Sequence, residues 1–197
     1  MGDLVNMVGR LNAIDKLGKS LDANFIEELQ NSGGLFKFVF LPHGSLFKRI
    51  VIKLARCFQS STDTFVINNQ TLGITLEDVL YLCHLPIDGK PVLIGHCPTN
   101  EAFDRLYGEI PKSDITVHKL TMIACDTLKT TQQRKIAVLL IIIWLVIMPG
   151  DDSRIPKSYV ELLLNVDDVS SYAWGAALLS YLVTGLRKFV EENWSRF

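Results

Sequence analysis

The chain has 197 residues, enough for one large domain or two small ones, and its 48% hydrophobic and 21% charged residues exclude a disordered chain. Twenty Lys and Arg residues against twenty-one Asp and Glu residues leave a formal net charge of -1, so the whole molecule has no positive field to hold nucleic acid. Any contact with phosphates must therefore use a local basic patch.

The amino-terminal part of the sequence has the apolar spacing of helices. Apolar residues recur at helical intervals from Leu4 to about Asn31 and stop at Gly33-Gly34, which predicts two short helices. After an irregular apolar segment, LFKFVF, Ser45 can cap a third helix that extends to Phe58.

The third predicted helix carries the richest basic stretch of the chain, formed by Lys48, Arg49, Lys53 and Arg56. A basic stretch on a helix is more often a solvated face than a nucleic-acid footprint. The four residues are candidate phosphate contacts under the second interpretation.

The period changes to that of strands in TFVINNQTLG, where β-branched runs flank Asn68-Asn69, a pair that tolerates the positive φ angles of a tight turn. A small β-hairpin is predicted. Thr75 can cap the next helix, and Glu77 and Asp78 suit the positive end of its dipole. This favours a structural role for the two acids over a catalytic carboxylate pair.

A loop with three prolines and two glycines runs from Pro86 to Pro98. Prolines restrict its backbone, and loops of this kind lie on the surface and often carry contacts. The sequence thus predicts an ordered, exposed interaction loop, and its candidate contact residues are Pro86, Asp88, Gly89, Lys90 and Pro91.

Helical patterns dominate the rest of the chain, and the predicted helices cover Asn100–Tyr107, Ile115–Lys129, Gln132–Met148, Tyr159–Leu164 and about Val169–Glu192. The apolar run Ile136–Met148 is shorter than the roughly 17–25 residues that span a bilayer, which favours a buried core helix. The predicted fold is mainly α, a multi-helix globular domain with one small β-hairpin, formed as a single domain over residues 1–197.

Cysteine and histidine residues give one candidate metal site. Cys83-His84 and His96-Cys97 could in principle supply four zinc ligands. Adjacent residues on a helix point about 100° apart, so a buried Cys83 beside a surface His84 is favoured instead. The chain also lacks a GxxxxGK[ST] loop, a GxSxG elbow and an HExxH helix, which disfavours those enzyme classes.

Two segments, TFVINNQTLGITLEDVLYLCHLPIDGKPV and VSSYAWGAALLSYL, stand in an order found in one plant family. The first contains a Thr64-Phe65 strand, a helix start at Ile74–Val79 and a loop at Leu85–Val92. The second contains Trp174-Gly175, where the glycine is expected to permit close packing of a neighbouring helix. In both segments the chain resembles the plant mobile domain family, over about residues 35–189.

Two departures accompany the resemblance. Family members usually have Trp-Arg-Pro-Glu-Thr-His before the strand, where this chain has CFQSSTD, and the family's carboxy-terminal half is missing after the Trp-Gly helix. A short member, a divergent transposon-associated copy or a truncated chain would each explain this.

The resemblance implies a nuclear protein with roles in transcriptional regulation, transposon silencing and meristem maintenance. It also implies a nuclear protein partner, with a PP7-type phosphatase as one candidate, and contact with DNA or chromatin as an alternative, but no membrane. The family's label includes "aminotransferase-like". A phosphate cradle for pyridoxal phosphate is not visible in the sequence, so a non-enzymatic protein without a cofactor is expected.

Overall fold

The computed structural model describes residues 2–40, 48–93, 101–108, 115–150 and 154–194. The fold is mainly α, as predicted, with one small antiparallel sheet. The helices are α1 (Gly2–Ser20), α2 (Ala23–Ser32), α3 (Lys48–Arg56), α4 (Leu76–Cys83), α5 (Glu101–Tyr107), α6 (Val117–Cys125), α7 (Thr131–Ile142) and α8 (Trp174–Trp194). The strands are β1 (Phe58–Gln59), β2 (Thr64–Ile67) and β3 (Gln70–Gly73).

The described residues form two compact units. The first unit contains the described parts of Met1–His43 and Lys90–Tyr172, and the second contains those of Gly44–Gly89 and Ala173–Phe197. Each unit has buried apolar side chains of its own. The prediction of one domain over residues 1–197 stays a prediction.

Helix α7 lies at the centre of the first unit. Every side chain from Ile136 to Ile143 is 0% exposed. The helix is capped by Thr130, whose hydroxyl accepts a hydrogen bond from the Gln133 amide, and it continues through a π-helical turn over Ile143–Ile147. The predicted buried core helix is confirmed. Among the described residues, the helices all fall short of the length and apolar character needed to cross a membrane.

The elements around α7 explain this burial. It packs against α6 and against 3-10 segments at Gly34–Phe40 and Lys157–Leu163. The predicted irregular segment LFKFVF is the first of these 3-10 helices, and Leu35 and Phe36 are buried there. Apolar elements therefore surround a helix that is apolar on all sides.

The two predicted amino-terminal helices are confirmed as α1 and α2. The Asp22 carboxylate accepts a hydrogen bond from the Phe25 amide at 3.0 Å and caps α2. Gly33 ends the helix with a φ of 61°, a conformation that glycine adopts without a steric penalty.

The second unit contains the sheet, α3, α4 and α8. Asn68 and Asn69 have φ angles of 50° and 61° and form the predicted hairpin turn between β2 and β3. The sheet has a third strand, β1, that the sequence did not predict. It pairs antiparallel with β2, where Phe58 lies opposite Phe65 and the two ring centroids are 5.2 Å apart in an edge contact that stabilises the pair.

Several predicted boundaries were wrong. Helix α6 ends at Cys125, before the predicted Lys129, and the Asp126 carboxylate accepts a hydrogen bond from the Leu128 amide in the turn that follows. The last helix begins at Trp174, after the predicted Val169, because a 3-10 segment covers Val166–Ser171. The predicted Ser45 cap lies outside the described residues.

Candidate interaction surfaces

The predicted cap of α4 by Thr75 is confirmed. The Thr75 hydroxyl accepts a hydrogen bond from the Asp78 amide at 3.2 Å, and the Asp78 carboxylate accepts one from the Thr75 amide at 2.8 Å. The hydrogen bonds that the Asp78 carboxylate accepts from the backbone amide of Thr75 and from its hydroxyl lower the pKa of Asp78, and the backbone bond contributes most. Asp78 is therefore a structural carboxylate in a capping box.

The start of the candidate loop, in the second unit, is held against α8. The Pro86 carbonyl accepts a hydrogen bond from the Gly175 amide at 2.8 Å. A Cβ on Gly175 would lie 2.9 Å from Ile87 Cγ2 and 3.1 Å from the Pro86 oxygen, so the glycine permits a close approach. The predicted neighbour was a helix, and the observed neighbour is the segment around Pro86. Asp88 and Gly89 are exposed.

The next two candidate residues, Lys90 and Pro91, are exposed in the first unit. Lys90 Nζ donates to Asp168 Oδ2 at 2.5 Å, and the Lys90 amide donates to the Ser171 carbonyl at 2.9 Å. The Asp168 carboxylate raises the pKa of Lys90, and the Lys90 ammonium lowers the pKa of Asp168. Lys90 is thus tied to its own unit although its side chain is exposed.

The five candidate loop residues are therefore divided between the units. Pro86, Asp88 and Gly89 belong to the second unit, and Lys90 and Pro91 belong to the first. Pro98 lies outside the described residues. The role of this loop in binding stays a prediction.

Three basic residues of α3 are exposed, as a solvated face and a phosphate site both require. Arg49, Lys53 and Arg56 lie on the outside of the second unit, and they make no ion pair with a residue that the structure describes. The side chain of Lys48 lies outside the described part of the chain. Their role as phosphate contacts stays a prediction.

The cysteine and histidine pairs of the candidate metal site are only half described. Cys83 is half-buried and free, and His84 is exposed at the carboxy-terminal cap of α4 with a φ of 50°. His96 and Cys97 lie outside the described residues. Within the described ranges, no group of three or more His, Cys, Asp or Glu side chains could hold a metal ion.

Sequence reasoning missed the exposed apolar side chains of α4. Leu80, Tyr81 and Leu82 follow one another on the helix, and Tyr81 and Leu82 are 75% and 81% exposed. Val79 is the buried residue of this short helix. The sequence LEDVLYLC could have predicted them, because it has more apolar residues than one face of a helix can bury.

The sequence is similar to proteins of one plant group. The sequence model described as plant mobile domain matches residues 34–195. The chain is 27% identical over 87% of its length to the protein MAIN-LIKE 2 of Arabidopsis thaliana, and 29% identical over 70% of its length to MAINTENANCE OF MERISTEMS of the same plant. These matches cover 28% and 32% of the two relatives, so the chain spans about a third of their length. No solved structure matches it.

Proposed function

The chain belongs to the plant mobile domain family, and from that premise we propose that it is a non-enzymatic interaction module that acts in the nucleus. The roles that we propose for it are transcriptional regulation, transposon silencing and meristem maintenance. The name of the relative MAINTENANCE OF MERISTEMS supports the last of these roles. The proposed partner is a nuclear protein, with a PP7-type phosphatase as one candidate.

Two exposed apolar side chains of α4 carry this proposal. Tyr81 and Leu82 are adjacent, about 100° apart around the helix, and they are 75% and 81% exposed. Contiguous exposed apolar residues mark sites of protein contact more often than single scattered ones, and tyrosine is enriched among residues that dominate binding. We therefore place the partner at the surface around Tyr81 and Leu82.

The test is a pull-down from plant nuclei with the chain as bait, compared with the variant Tyr81→Ser/Leu82→Ser. Loss of a specific partner, with the melting temperature kept, is the expected result because both side chains are exposed. The matched control is Met122→Ser/Leu128→Ser, which removes two exposed apolar side chains from the first unit. If the α4 variant retains every partner of the wild type, α4 is not the contact surface.

The non-enzymatic part of the proposal has a separate test. Asp78 is engaged in the capping box beside Glu77, which supports a structural role for that acidic pair. We expect the purified chain to carry neither a tightly bound metal nor pyridoxal phosphate. Stoichiometric zinc in elemental analysis, or the absorption of a pyridoxal Schiff base, would contradict this expectation.

Direct DNA binding is the second candidate function, and the exposure of Arg49, Lys53 and Arg56 favours it. Phosphate contacts release counterions, so binding to duplex DNA should weaken steeply with added salt. A gel-shift of the variant Arg49→Ala/Lys53→Ala/Arg56→Ala should then lose affinity and show a smaller salt dependence. The control variant is Lys16→Ala/Lys188→Ala, at two exposed lysines on other helices.

A further inference from the structure

Helix α3 presents two side-chain stripes to solvent. At about 100° per residue, Arg49, Lys53 and Arg56 lie within about 60° of one another on the helix. Ile50 and Leu54 form a second stripe about 100° further round. The two apolar side chains are 55% and 43% exposed, and Ala55 is buried on the inner side of the helix.

The basic and apolar stripes of α3 together favour a protein ligand over duplex DNA or a lipid surface. A duplex backbone offers phosphates to the basic stripe but leaves Ile50 and Leu54 without apolar cover. A lipid surface would take up the apolar stripe, but two side chains bury little area compared with a membrane-bound amphipathic helix. A protein segment that places carboxylates beside apolar side chains satisfies both stripes.

We propose that the exposed face of α3 binds an amphipathic segment of a partner protein in which acidic residues lie beside apolar ones. The partner's carboxylates accept hydrogen bonds from Arg49 and Arg56, and arginine binds carboxylates in a two-point geometry. Its apolar side chains cover Ile50 and Leu54, the i and i+4 anchors of a helix-on-helix contact. This proposal rests on the proposed function, since it names the chemistry of a partner for the interaction module.

The experiment uses the full chain and a fluorescent synthetic helical peptide that carries a stripe of Glu residues beside a stripe of Leu residues. Fluorescence anisotropy should show saturable binding. Both Arg49→Ala/Arg56→Ala and Ile50→Ser/Leu54→Ser should weaken it about tenfold or more, because the first removes the two guanidinium donors and the second removes the two apolar anchors. The control Lys16→Ala/Lys188→Ala should bind like the wild type, and peptides with Lys for Glu or Ser for Leu should not bind.

Melting temperatures close to that of the wild type are expected for the α3 variants, because the substituted residues are exposed. The proposal is overturned if Ile50→Ser/Leu54→Ser binds the peptide as the wild type does. It is also overturned if the peptide fails to bind, whether or not duplex DNA, anionic vesicles or a second copy of the chain bind to α3. If the peptide fails while the pull-down through Tyr81 and Leu82 succeeds, the α3 proposal alone is wrong and the proposed function stands.

Discussion

Arg134 shows how one residue joins three elements of the first unit. Its Nε donates to the Ala124 carbonyl at 2.7 Å, near the end of α6, and its guanidinium pairs with Asp22, the cap of α2. The guanidinium also lies 3.8 Å from the centroid of the Phe25 ring. Its burial was not foreseen, because a charged residue at the start of an apolar helix is ordinarily solvated.

Replacing Arg134 with Met should destabilise the first unit by about 1–3 kcal/mol, since a buried hydrogen bond and its cation–π contact are lost. Chemical denaturation followed by circular dichroism measures the change. The control is Arg105→Met, which removes an exposed ion pair to Glu101 and should cost much less. Equal effects of the two substitutions would contradict the role of Arg134.

At the scale of elements, the sequence predicted those features that neighbouring residues determine. The Thr75 cap, the Asn68-Asn69 turn and the break at Gly33 depend on side-chain and backbone chemistry within a few residues. Strand β1 pairs Phe58 with Phe65, and the segment before α8 forms a β-bridge between Tyr172 and Lys90. Local periodicity carries no information on such pairings.

Two glycines of α8 should respond in opposite ways to alanine. Gly175→Ala should destabilise the second unit by about 1–3 kcal/mol, because the added Cβ meets Ile87 and the backbone of Pro86. A Cβ added at Gly185 has no neighbour within 4 Å, so Gly185→Ala should stabilise α8 by about 0.5–1 kcal/mol through helix propensity. Denaturation midpoints of the two variants test the pair. A stabilising Gly175→Ala would show that the Pro86 segment is not held closely.

Helix α7 should tolerate no charge at its centre. Leu140 is fully buried, so Leu140→Asp forces an unpaired carboxylate into the core and should abolish folding of the first unit. Leu140→Ala should leave the unit folded but less stable by about 2–5 kcal/mol. Circular dichroism and amide hydrogen exchange of α7 distinguish the two outcomes. A folded Leu140→Asp protein would contradict the observed burial.

At the scale of the whole molecule, the chain forms each unit from two separated segments. Helical periodicity does not predict this division, because it is a local property and the segments of a unit meet only through tertiary packing. The candidate loop from Pro86 to Pro98 contains, between Gly89 and Lys90, one of the points at which the chain passes between the units. Its prolines and glycines predict a contact loop, but they carry no signal for the change of unit that they accompany.

Acid should destabilise the molecule through carboxylates in both units. Hydrogen bonds lower the pKa of four aspartates. Asp22 is bound by Arg134 and Asp63 by Arg187. Asp78 is bound by Thr75 and Asp168 by Lys90. A lowered pKa means that the unfolded chain binds more protons than the folded one below the ordinary Asp pKa of about 3.9. The stabilisation is therefore fully present above that pH and is lost as the pH falls through the lower pKa of the folded state.

The melting temperature should accordingly change little between about pH 7 and pH 5 and fall below about pH 4. Asp63→Asn/Asp168→Asn removes the carboxylates that pair with Arg187 and Lys90, so it should melt lower at pH 7 and lose less on acidification than the wild type. Asp88→Asn is the matched control, because Asp88 is exposed and makes no ion pair with a described residue. Melting curves across this pH range give both comparisons. An acid loss in the double variant as large as that of the wild type would show that these two ion pairs do not account for the pH dependence.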